Sequence, residues 1–118
     1  MPASPDDIAR RTAQKLVDLD PDLPAHVEAR LQGGETAQRY EPVTAIAVAS
    51  LIVSAAKLAW DIYTGLKKTE PASPPSPDVV TRRVRLEVEV AGGLTADQES
   101  RIIAVAVEEA MREADRSR

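Results

Sequence analysis

The 118-residue sequence contains no cysteine, no phenylalanine and a single histidine. Without cysteine there is no disulfide framework, no thiolate nucleophile and no zinc or iron–sulfur site built on Cys ligands. One histidine excludes paired-His metal motifs. Aromatic residues are scarce, one Trp and two Tyr. Basic charge is in the minority: 15 Lys and Arg against 19 Asp and Glu leave a net charge of −4. A general nucleic-acid binder needs a basic face, so this balance argues against nucleic acid as a partner. What remains is the composition of a small, non-catalytic protein with no metal or cofactor implied.

Alanine and valine dominate what is present. Ala buries little area, so an Ala-rich core is thin per residue. The length allows one domain, or one domain plus a small module. Arg exceeds Lys, which together with the Ala excess matches high-GC coding and points to a bacterial source. The start, Met1-Pro2-Ala3-Ser4-Pro5-Asp6-Asp7, has no basic stretch leading into an apolar run. The expected address is therefore the cytoplasm.

One break in composition divides the chain. Residues 69–77, Thr-Glu-Pro-Ala-Ser-Pro-Pro-Ser-Pro, hold four of the nine prolines. Proline fixes φ and removes a backbone donor, so this stretch reads as an extended linker. Pro71 and Pro74 also have PxxP spacing, a short match that spacers often carry.

Three helices are expected before the linker. Over 5–19, Ser4 is an N-cap, Pro5 opens the first turn and Asp7 favours the positive end of the dipole. Ile8, Thr12, Leu16 and Leu19 then fall on one stripe. A short helix over 24–32 presents Val27 and Leu31 and stops at Gly33-Gly34. The third, over 43–67, carries no charge from Pro42 to Ala56 and stays apolar to Tyr63, interrupted by Lys57 and Asp61. Ile46, Leu51, Ile52, Val53, Leu58, Trp60 and Tyr63 are its large apolar residues. Two readings compete for residues 42–63. In one the helix is buried by its neighbours or by other subunits, as a helix apolar all round requires. In the other it enters a membrane, with Tyr40, Trp60 and Tyr63 as flanking aromatics and Lys67-Lys68 just outside. The uncharged run of 15 residues is short of the roughly 20 that span a bilayer, which favours the buried helix.

After the linker, Val84-Arg85-Leu86-Glu87-Val88-Glu89-Val90 alternates apolar and charged residues, which predicts a strand over about 79–91. Gly92-Gly93 turns the chain. Thr95 and Gln98 then form a capping box that opens a helix over about 96–115. A lone strand leaves its backbone groups unpaired. Antiparallel pairing of two copies about Leu86 would set Arg83 against Glu89 and Arg85 against Glu87, with Val84, Leu86, Val88 and Val90 on the buried face. Strand-first dimers that read DNA place such outward side chains in the major groove, where Glu87 and Glu89 would be repelled by phosphate.

Chemistry finds little support. His26 has no Gly-flanked serine to activate. Asp18, Asp20 and Asp22 have the spacing that opens a calcium loop, but Leu23 and Ala29 replace its Gly and Glu. No catalytic, metal or cofactor residue is assigned. The expected fold is α+β and mostly helical: a helical part at 1–68, the linker at 69–77, and a strand–helix module at 78–118 completed by pairing between subunits. The expected function is that of a self-associating adaptor or accessory subunit, homo-oligomeric or docked on a larger protein. The alternative is a small membrane-anchored or membrane-perturbing effector using residues 42–63.

Overall fold

Why the longest apolar run became the centre of the molecule follows from what surrounds it. The computed structural model describes residues 4–19, 21–32, 43–69, 75–88 and 94–116, and the backbone alone for 43–46. Among these residues the chain forms five helices and no strand: α1 (Pro5–Lys15), α2 (Leu23–Leu31), α3 (Val43–Thr69), α4 (Pro77–Glu87) and α5 (Ala96–Arg116). The α+β expectation is overturned; the protein is helical, built on one long apolar helix.

Local signals account for the helix starts. The Asp7 N–H donates to Ser4 Oγ at 3.4 Å, with Pro5 in the first turn. The α1 helix stops at Lys15, and residues 16–19, expected to continue it, are turns. Pro24 sits in the first turn of α2. The capping box of α5 forms as expected. Gln98 N–H donates to Thr95 Oγ1 at 3.1 Å, and Thr95 N–H donates to Gln98 Oε1 at 3.0 Å.

The strand expected over 79–91 is the main correction. Ser76 caps α4, accepting from the Val79 N–H at 3.4 Å; Pro77 occupies the first turn and Asp78 faces the positive dipole end. Val80 and Val84 are fully buried and Val88 partly so, a spacing of four that suits a helix. Leu86, which a strand would bury beside Val84, points the other way and is 79% exposed. The alternation was real in sequence but coincided with a four-residue stripe, and helix packing against α3 and α5 won. With no strand, the antiparallel pairing that sets Arg83 against Glu89 and Arg85 against Glu87 has no basis. Glu89 and Val90 lie outside the described residues.

Each of the other four helices packs on α3, and α2–α1, α1–α5 and α5–α4 also touch in succession. The order around α3 is therefore α2, α1, α5, α4. The buried arc of α3 includes Leu51, Ile52, Ala55, Ala56, Ala59 and Tyr63. These join Ile8, Leu16, Val27, Val84, Ile102 and Val107 in one apolar cluster. Small residues there let helix axes approach closely. Tyr63 is buried, and its hydroxyl donates to Asp115 Oδ1 at 3.2 Å, which ties the C-terminal half of α3 to the end of α5.

Charge fixes α1 on α5. Glu109 and Glu113 of α5 are buried, and α1 supplies their cations. Lys15 Nζ reaches Glu109 Oε2 at 2.6 Å, and Arg11 pairs with Glu113. Arg101 of α5 donates twice to Asp18, at 2.5 and 2.9 Å. Arg10 of α1 holds Glu28 of α2 through two bonds at 2.8 and 3.1 Å. Hydrogen bonding from Arg101 pulls the Asp18 carboxyl below its ordinary value, and bonding from Arg10 and Gln32 does the same for Glu28.

Two outcomes follow. Val84→Ala should cost about 2 kcal/mol in chemical unfolding, whereas Leu86→Ala should stay within about 0.5 kcal/mol. Equal costs would restore the strand, in which both residues share a face. The second concerns acid. Asp18 and Glu28 bind protons more weakly folded than unfolded. Their contribution is thus complete above the ordinary carboxylate values of 3.8 and 4.5 and is lost as pH falls below them through the depressed ones. The melting temperature should drop on acidification towards about pH 3, and the drop should be shallower in Asp18→Asn. Parallel curves for the two proteins would show that this pair contributes nothing.

Candidate functional site

Among the described residues the α3 helix is not covered all round. Since α2 and α4 end the order of helices around it and share no substantial contact, one arc of α3 is left uncovered by the other four helices among the described residues. Ser54, Lys57, Asp61, Gly65 and Lys68 occupy that arc and are exposed. Their spacing of three or four residues places them on one line along the helix. On one bank of this seam stands α4, and between the two helices lies a groove of about 410 Å³. Its α3 wall is Leu58, Asp61, Ile62, Gly65, Leu66 and Thr69; its α4 wall is Arg83 and Glu87.

The groove is apolar below and charged above. Leu58 and Ile62 belong to the partly buried fringe of the core. Asp61, Arg83 and Glu87 stand exposed at the rim. A Cβ built at Gly65 would meet no atom within 4 Å, so the wall is open at that point.

The outer face of α4 continues the surface. Three large apolar residues are exposed among the described ones, and two of them, Val79 and Leu86, are on α4. Seven residues apart, they lie on the same side of a helix. Arg82 and Arg83 sit between them and make no ion pair among the described residues. Arg85 faces α5, where it donates to Ser100 Oγ.

The residues expected to form an interface thus divide. Arg83, Arg85, Leu86 and Glu87 are exposed on α4, Val84 is buried, and Val88 is half-buried at its C-cap. In the apolar helix, Leu51, Ile52 and Tyr63 are buried, while Val53, Leu58 and Trp60 are partly so. The side chain of Ile46 lies outside the described residues. Tyr63, expected as a flanking aromatic, is instead a core residue. Residues 47–69 of α3 are long and apolar enough to cross a membrane by length and composition, and half of that span is buried inside the protein.

Val79, Arg82, Gly65 and Leu66 were not singled out by the sequence. The Ser76-Pro77-Asp78 start would have found the first two, because it repeats the signal at Ser4-Pro5-Asp6. Among the described residues no group of His, Asp and Glu is placed to hold a metal ion, and every buried polar side-chain atom has a partner. His26 is half-buried on α2. Asp18 is engaged by Arg101, Asp22 stands at the N-cap of α2, and Asp20 lies outside the described residues. Compared with known protein families, with characterised proteins and with solved structures, the chain matches none.

Glycine in a helix interior costs stability relative to alanine, and Gly65 has free space beside it. Gly65→Ala should therefore raise stability by about 0.5–1 kcal/mol in thermal unfolding. A loss would mean that the wall at this point is closed.

Proposed function

We propose that this chain is a non-catalytic interaction module, an adaptor or accessory subunit, that docks through the outer face of α4 and the open seam of α3. One observation carries the reading. Leu86 is 79% exposed at the end of a helix whose Val80 and Val84 are spent on the core, and Val79, with two arginines that make no ion pair among the described residues, extends the same face. An exposed leucine alone means little, but apolar side chains interleaved with arginine are the make-up of docking surfaces. The anchors are Arg83, Leu86 and Glu87, joined by Val79 and Arg82. Arg85, bonded to Ser100, steadies α4 on α5.

A second reading, attachment to a membrane, rests on the length and apolar character of α3. Insertion of α3 would require it to leave four helices that already bury its apolar arc, and the arc it exposes is polar. The first reading keeps α3 as a core helix of a cytoplasmic protein.

A photo-crosslinking residue at position 86, in cells producing the full chain, should give a discrete adduct with a partner or a second copy. The same residue at position 108, on the exposed face of α5, should not. Adducts from 108 alone, or none from 86, would remove α4 as the docking surface.

A further inference from the structure

We draw no further inference here: the strongest candidate, the groove between α3 and α4 with Leu58, Ile62 and Leu66 along its wall and Asp61, Arg83 and Glu87 at its rim, is an unpartnered surface, and nothing in the structure shows what covers it.

Discussion

Burial of the apolar arc of α3 is the constraint on which the rest of the structure depends. A helix of 27 residues with few charges cannot stand in water, and four shorter helices are arranged to cover it. Each contributes a narrow stripe: Ile8 and Ala9 from α1, Leu23 and Val27 from α2, Val80 and Val84 from α4, and Ile102, Ala106 and Val107 from α5. The polar line from Ser54 to Lys68 is the part of α3 that needs no cover. The open groove is thus a by-product of where the charge on α3 falls, and it puts the remaining exposed leucine beside it.

An alanine-rich core gains proximity and gives up area. Where large side chains are few, interlocking shapes define register weakly, and directional contacts take over that task. Here they are concentrated on α1 and α5. Two buried glutamates face two cations from α1, and a bidentate Arg101–Asp18 pair lies beyond them. Removing one partner of a buried pair leaves a desolvated charge, which makes the arrangement intolerant of sliding by one helical turn. The Tyr63–Asp115 bond serves α3 and α5 in the same way.

Much of the fold was legible in the sequence, and the failure was specific. The starts of α1 and α5 were written in Ser4-Pro5-Asp7 and in Thr95-Gln98, and both capping arrangements are present. The long apolar helix was legible from its uncharged run. The α4 helix was not, because Val84, Leu86, Val88 and Val90 fit a period of two, while Val80, Val84 and Val88 fit a period of four. Seven residues cannot separate these patterns when valine serves both. The deciding signal lay outside the window, in Ser76-Pro77-Asp78 at the edge of a segment read as a linker. The groove was illegible for another reason. It depends on which arc of α3 the other helices leave open, and nothing local in Leu58, Ile62 or Gly65 encodes that.

One further property comes from the scarcity of aromatic residues. Trp60 is the single tryptophan, sits half-buried on α3 and accepts the Thr64 hydroxyl through its carbonyl at 2.7 Å. No phenylalanine contributes to the near-ultraviolet spectrum, and Tyr63 lies one turn away on the same helix. Indole emission is therefore a single-site optical gauge placed on the central helix. A red shift reports that the part of α3 around Trp60 has been uncovered.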